Sequence, residues 1–250
     1  LTPVLIKQLD DYKNGARDIY WVLAEKPASS LTESDKRFIL RRFFDANYKN
    51  LIGKFSGYTE LLKKRGGASD AEIDSALKSY SVQDFRDLQV LFNLAWFDPD
   101  FLSQAPLNRL VEKGKGFSEA DKQLLFKKVR DVIDSVIPEY KKLLNKGRIE
   151  VITTPYAHPI LPLIYNSDLA KIGDPGVKLP KRFSYPQDAI GQLRLSVSVY
   201  EKHYDRKPVG LWPAEGAVAQ PIVKLVADAG YKWMASGQQV LSLIHISEPT

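Results

Sequence analysis

The sequence predicts an α/β fold in which a mostly helical first part is followed by alternating strands and helices. In residues 1–146, apolar residues recur at three- and four-residue intervals, which is typical of amphipathic helices. In residues 147–241, short segments predicted as strands, the first of them β-branched, alternate with helical patterns, which indicates β–α units and a parallel sheet. The chain has 250 residues with 44% hydrophobic content, enough for a sizeable core.

Local signals place the helices of the first part. Thr32 with Asp35, and later Ser118 with Asp121, have the spacing of a capping box at a helix start. The second box precedes a long apolar stripe at helical spacing, and we expect Gly147 to end that helix. The two boxes stand in similar short sequences, and two helices capped alike explain this better than a duplicated domain.

In the second part, residues 147–241, the sequence predicts three strands, at residues 149–154, 209–212 and 231–235. The helical patterns between them lie at residues 189–204 and 221–229. One earlier strand is expected within the apolar run at residues 90–96.

Composition excludes several classes of function. The chain has no cysteine, so disulfides, thiol nucleophiles and cysteine metal sites are absent. Its net charge of +6 is spread among acidic residues without a basic block, which argues against nucleic acid as a partner. No apolar run is long enough for a membrane span. The histidines stand far apart and phosphate-binding glycine loops are missing, so we expect neither a metal nor a cofactor. The lack of cysteine suits the cytoplasm, although an upstream targeting segment stays possible, and oligomeric state stays open.

Glu215 is the first candidate for chemistry. It lies in Gly-Leu-Trp-Pro-Ala-Glu-Gly at residues 210–216, just beyond a predicted strand. A carboxylate there can act as nucleophile, general acid or general base. An isolated Trp-x-x-Glu is more often an ordinary surface loop, but the strand exit and Gly216 favour a functional role. Retaining glycosidases use two carboxyl groups, and Asp205 and Asp228 are weak candidates for the second because their contexts are helix or turn.

His158 is the second candidate. It lies in Thr-Thr-Pro-Tyr-Ala-His-Pro at residues 153–159, beyond another predicted strand. Catalytic side chains of parallel sheets gather at the carboxyl ends of strands, so the two segments predict two edges of one sugar-binding cleft. His158 could donate a hydrogen bond to a sugar hydroxyl, although a lone histidine is more often structural.

Three aromatic residues complete the candidate set. Trp212, Tyr156 and Trp96 offer flat apolar faces with a polar edge, which suit the C–H face of a sugar and suit a protein core equally well. For Trp96 we expect a place in the core or in a cleft wall.

Residues 153–160, 210–216 and 92–99 together resemble signature regions of the family 57 glycoside hydrolases, most closely its amylase and amylopullulanase-like branch. The resemblance extends from residue 1 to about residue 241. It implies a distorted (β/α)7 barrel with a helical insertion, incomplete in this chain, and a retaining mechanism on α-glucans. It also implies that Glu215 is the nucleophile, that Trp212 is the active-site tryptophan, and that His158 contacts sugar beside the scissile bond.

The chain departs from the family pattern at both ends. Nothing matches the His-Gln-Pro motif of the family's first strand, and the family's acid/base Asp comes from a strand beyond residue 241. Residues 242–250 resemble translated sequencing-adapter read-through, so we expect them to be non-native and assign no role to His245 or Glu248. We therefore expect a partial catalytic barrel over residues 1–241, inactive or nearly so by itself.

The resemblance leaves alternatives within and outside catalysis. Starch, glycogen and maltooligosaccharides with α-1,4 and possibly α-1,6 bonds are the expected substrates of a hydrolase. A 4-α-glucanotransferase or a branching enzyme would use the same residues with a sugar as acceptor. A non-catalytic glucan-binding protein that kept the cleft and lost the acid is the alternative from another class.

Overall fold

The computed structural model describes residues 1–237. The expected non-native segment, residues 242–250, lies outside the described residues. The chain divides into two units: a helical unit, Gly15–Ile133, and a strand-bearing unit formed by Leu1–Asn14 with the chain from Asp134 onward.

Helices dominate the described residues. In chain order they are α1 Pro3–Lys13, α2 Ile19–Glu25, α3 Glu33–Arg42, α4 Ser56–Arg65, α5 Asp70–Ser79, α6 Val82–Leu94, α7 Pro99–Leu102, α8 Leu107–Lys113, α9 Glu119–Asn145, α10 Leu161–Tyr165, α11 Ala170–Gly173, α12 Pro186–Tyr204 and α13 Gln220–Asp228. The two strands are β1 Gly210–Leu211 and β2 Trp233–Met234.

Both predicted capping boxes are confirmed. The Thr32 hydroxyl accepts from the Asp35 N–H at 3.2 Å, and the Asp35 carboxylate accepts from the Thr32 N–H at 2.9 Å. Ser118 and Asp121 make the same reciprocal pair at the start of α9. The predicted long helix and its end are also confirmed, since α9 ends at Asn145 and Gly147 follows with a φ of 63°.

The strand predicted at residues 90–96 is wrong, because most of this segment lies in α6. Ser81 and Asp84 form a capping box that starts the helix. The Gln89 amide then donates to two backbone carbonyls, of Leu23 at 2.6 Å and Lys26 at 2.9 Å. The run is apolar all round because α6 is buried on most of its faces, and a buried helix and a buried strand look alike over so few residues.

A charged cluster lies inside the helical unit. The Lys122 ammonium, 2% exposed, donates to the Lys26 carbonyl at 2.7 Å and to the Gln89 amide oxygen at 2.9 Å. Glu119 lies 2.8 Å from Lys122 and 2.9 Å from Arg86. The buried cation is therefore fully surrounded by acceptors, as a buried charge requires.

The strand-bearing unit contains a small parallel sheet. β1 pairs with β2 in parallel, and Thr153 forms a parallel bridge with Leu211 on the other side. The strands predicted at residues 209–212 and 231–235 are confirmed at their centres, whereas the one predicted at residues 149–154 is reduced to the Thr153 bridge. A (β/α)7 barrel has seven strands, and residues 1–237 contain three parallel segments of such a sheet. The barrel therefore stays a prediction.

Helices cover this sheet and position its loops. Leu211 of β1 packs in one apolar cluster with Leu193 of α12 and Ile222 of α13. A second cluster joins Ile6 of α1 to Tyr200 of α12. Each helix places apolar side chains against strands or neighbouring helices and leaves polar ones in water, the pattern expected of β–α units.

Candidate active site

The two candidate segments leave neighbouring parallel strands at the same edge. The Trp212 N–H donates to the Thr153 carbonyl at 2.7 Å, and the Thr153 N–H donates to the Gly210 carbonyl at 3.4 Å. Parallel neighbours run in one direction, so the loop that carries His158 and the loop that carries Glu215 both start at the carboxyl end of the sheet. The structure thus brings the two sequence motifs side by side.

Glu215 has a left-handed backbone. Its φ and ψ are 56° and 19°, inside the short turn Ala214–Gly216, and its side chain is exposed. This conformation costs a non-glycine residue roughly 1–2 kcal/mol. Backbone hydrogen bonds from the Gly216 N–H to the Pro213 carbonyl and from the Ala217 N–H to the Ala214 carbonyl, both 3.0 Å, close the turn. The Ser236 hydroxyl also donates to the Gly216 carbonyl at 2.7 Å. Ser236 follows β2, so the neighbouring strand holds the turn in place.

His158 shares this unusual backbone, with a φ of 59°, and is half-buried. Its own N–H donates to the Pro155 carbonyl at 2.9 Å. Gln192 of α12 holds the loop with two hydrogen bonds. Its backbone carbonyl accepts from the Tyr156 N–H at 3.2 Å, and its side-chain oxygen accepts from the Ala157 N–H at 2.8 Å.

Left-handed backbone is otherwise rare in the part of the chain that the structure describes. Apart from glycines, it occurs at His158, Glu215 and Asp205. Asp205 is the C-cap of α12, where this conformation is ordinary. The other two are the residues that the sequence motifs single out. Strain of this kind concentrates at functional sites, where the surrounding structure holds a side chain in a required direction.

A buried hydrogen-bond network holds the segment from which the loop of His158 starts. The Ser196 hydroxyl donates to the Thr154 carbonyl at 2.6 Å, and the Tyr231 hydroxyl donates to Ser196 at 3.0 Å. Burial raises the pKa of Tyr231 to about 12, so its hydroxyl remains a donor at neutral pH. The sequence analysis missed Ser196, Tyr231 and Gln192, because polar residues in a predicted helix or after a turn give no local signal of such contacts.

The aromatic candidates are placed differently. The Trp212 side chain is 47% exposed directly after β1, so one of its faces is open to a ligand. Tyr156 is half-buried in the loop of His158. Trp96 belongs to the helical unit, just after α6, and is 59% exposed. A place in the core is therefore wrong for Trp96, because α6 ends before it and its ring faces water.

An apolar cavity of about 460 Å³ lies in the strand-bearing unit. Ile160 and Leu163 line one side, and Ala217, Val218 and Gln220 line another. Since Ile160 follows His158 and Ala217 follows Glu215 closely in the chain, the cavity borders both candidate loops. Its volume is in the range of ligand pockets.

Among the described residues there is neither a metal-binding cluster nor a membrane-spanning helix. Over residues 1–237, no group of three or more His, Cys, Asp or Glu side chains is placed to hold a metal ion. None of the helices described for this chain combines the length and the apolar character that crossing a membrane takes.

The deciding comparison is with protein families. The family model described as Glycosyl hydrolase family 57 matches residues 22–247. The chain belongs to glycosyl hydrolase family 57. No curated protein and no solved structure matches it significantly. The family resemblance predicted from the three motifs is confirmed, and membership indicates a glycoside hydrolase or a related enzyme with a carbohydrate substrate. All five candidate residues lie within the matched range.

Proposed function

We propose that this family 57 chain carries the nucleophile side of a retaining α-glucan hydrolase of the amylase or amylopullulanase-like branch. The observation that carries the proposal is the left-handed Glu215, held at the exit of β1 beside the loop of His158. A strained, exposed carboxylate fixed by a neighbouring strand is preorganised to attack a bound sugar. The small parallel sheet with its covering helices also supports our proposal that the whole fold is a (β/α)7 barrel.

In the proposed reaction, a Glu215 oxygen attacks the anomeric carbon while the bond to the leaving oxygen breaks, giving a β-glycosyl-enzyme. A carboxylic acid delivers its proton to that oxygen. The resulting carboxylate then takes a proton from a water molecule whose oxygen attacks the anomeric carbon, and the bond from that carbon to Glu215 breaks, which releases the sugar with retained configuration. We assign this acid/base role to no carboxylate among residues 1–237. His158 donates a hydrogen bond to a hydroxyl of the bound sugar. Trp212 and Tyr156 contact its apolar face.

A glucosyl donor whose leaving group departs without a proton tests the nucleophile independently of the acid. Incubation with 5-fluoro-α-glucosyl fluoride should add one fluoroglucosyl group to the chain, since fluoride departs without a proton. Intact-mass spectrometry detects the adduct, and peptide mapping places it on Glu215.

Two variants control this labelling. Glu215→Gln should abolish the adduct, whereas Asp228→Asn should keep it, because Asp228 is an exposed carboxylate paired with Lys224 on α13. An adduct on another residue, or an unchanged adduct in Glu215→Gln, would overturn the assignment. Maltooligosaccharide products separate the alternatives: short sugars indicate hydrolysis and longer or branched chains indicate transfer. Binding without an adduct favours a glucan-binding protein.

A further inference from the structure

An exposed aromatic pair lies in the segment between α11 and α12. The Phe183 and Tyr185 side chains are 48% and 54% exposed. Their ring centroids are 4.5 Å apart, with the ring planes inclined by 51°. Two adjacent rings left in water form an apolar patch, and patches of this kind mark binding surfaces more often than isolated exposed side chains do.

The backbone beneath the pair is firmly held. The Tyr185 N–H donates to the Ile164 carbonyl at 2.8 Å, and the Ser167 N–H donates to the Phe183 carbonyl at 2.8 Å. The Phe183 N–H in turn donates to the Ser167 hydroxyl at 2.9 Å. Because these bonds fix the backbone before any ligand arrives, binding on the rings requires little further ordering of the chain.

Polar side chains lie on the segment that carries the rings and on the segment to which its backbone is bonded. The Arg182 guanidinium donates to the Asn166 side-chain oxygen at 3.1 Å and lies 3.5 Å from the Asp168 carboxylate. The Arg182 and Asp168 side chains are 61% and 42% exposed, so each keeps hydrogen-bonding capacity toward a ligand. Two exposed aromatic rings, with a guanidinium, an amide and a carboxylate on the same pair of segments, match a pyranose, which has an apolar C–H face and hydroxyl groups around its edge.

We propose that Phe183 and Tyr185 form a second sugar-binding platform, distinct from the cleft of Glu215, that holds pyranose units of a longer oligosaccharide. The inference rests on the carbohydrate specificity within the proposed function. The occupant follows from the composition of the patch and from its continuity with the candidate site, since α10 joins the loop of His158 to the segment on which the rings are anchored.

The test is a calorimetric titration of the full chain with maltoheptaose. Wild type should bind, and the double variant Phe183→Ala/Tyr185→Ala should bind about three- to tenfold more weakly, as expected for two lost ring contacts. Tyr48→Ala is the matched control, because Tyr48 is a similarly exposed aromatic in the helical unit. Its affinity should equal that of wild type.

A second variant guards against loss of the fold. Phe183→Leu/Tyr185→Leu keeps apolar bulk at both positions and removes only the flat faces, and it should lose affinity as the alanine variant does. Wild-type affinity in a folded leucine variant would overturn the platform, and so would the absence of maltoheptaose binding to wild type. Fluoroglucosyl labelling of Glu215 should be unchanged in both variants, since the donor is one sugar long. Loss of labelling in wild type would instead count against the proposed function, and the maltoheptaose titration would still decide the platform.

Discussion

At the residue scale, the backbone of Glu215 and His158 separates these side chains from ordinary surface residues. Neither position carries glycine, although both adopt the left-handed conformation that favours it. Each is held by bonds from another element: Ser236 after β2 for the turn of Glu215, and Gln192 of α12 for the loop of His158. The cost of the conformation is therefore offset by the surrounding structure, and the side chains are aimed without help from a ligand.

The strain at His158 can be measured. His158→Gly should be more stable than His158→Ala by about 1 kcal/mol, because glycine adopts a positive φ without the steric cost that alanine bears. Urea unfolding of both variants gives the difference, and the lost imidazole cancels between them. Equal stability of the two variants would mean that the loop relaxes and that no strain is stored at this position.

Gln192 should act as a positioning residue for the loop of His158. Gln192→Leu removes the acceptor of the Ala157 N–H and should lower the free energy of unfolding by about 0.5–1.5 kcal/mol. Maltoheptaose binding should weaken as well, since the loop loses its anchor. Gln192→Glu retains a side-chain acceptor and should restore both quantities toward wild type. A leucine variant with unchanged sugar affinity would show that Gln192 supports only the fold.

At the element scale, α1 and α12 are joined by a charged cluster. Asp10 of α1 lies 2.8 Å from the Lys202 ammonium and 3.0 Å from His203 Nε2 on α12. His203 Nδ1 lies 2.7 Å from the Val199 carbonyl. Both ring nitrogens thus lie within hydrogen-bond distance of an oxygen atom. The apolar contact between Ile6 and Tyr200 lies in the same helix pair.

The cluster predicts an acid-sensitive contribution to stability. Burial raises the pKa of Asp10, but the hydrogen bonds from Lys202 and His203 outweigh it and hold the pKa below its usual value. A carboxyl with a depressed folded-state pKa contributes fully above its unfolded pKa of about 4, and the contribution is lost as the pH falls through the folded value. Asp10→Asn should therefore be less stable than wild type at pH 7, and the two should converge in acid. Thermal unfolding of both proteins from pH 7 into acid measures the difference in stability. A difference that stays constant over this range would contradict the prediction.

At the scale of the whole molecule, acid stability should depend strongly on one carboxylate in the helical unit. Burial opposes ionisation of Glu119, yet hydrogen bonds from Arg86 and Lys122 lower its pKa to about 2. Burial also lowers the pKa of Lys122, so this cation depends on its acceptors. The lowered pKa of Glu119 means that the folded state stabilises its charge relative to the unfolded state.

Glu119→Gln should destabilise the chain at pH 7 and reduce the loss of stability on acidification. With the folded pKa depressed, the contribution is present above the unfolded value near 4.5 and disappears as the pH falls toward about 2. Glu60→Gln is the control, because Glu60 and its partner Lys115 are both largely exposed and such pairs contribute little. Parallel acid-unfolding curves for wild type and Glu119→Gln would rule out this role.

The sequence by itself determined the features that depend on neighbouring residues. Thr32 and Ser118 mark their helix starts because a capping box joins residues only three positions apart, and Gly147 ends α9 for an equally local reason. The motifs around His158 and Glu215 could also be recognised from the sequence, since each is a short continuous segment at the end of a predicted strand.

Tertiary structure decided what depends on distant parts of the chain. Residues 90–94 could not be told from a buried strand by their pattern, because α6 is buried on most of its faces. The extent of pairing at residues 149–154, a single bridge from Thr153 to Leu211, depends on a segment distant in the chain. The left-handed turn of Glu215 and the contacts of Gln192, Ser196 and Tyr231 join elements far apart in sequence. No local pattern encodes such hydrogen bonds, since their donors and acceptors meet only after the helices and strands have packed.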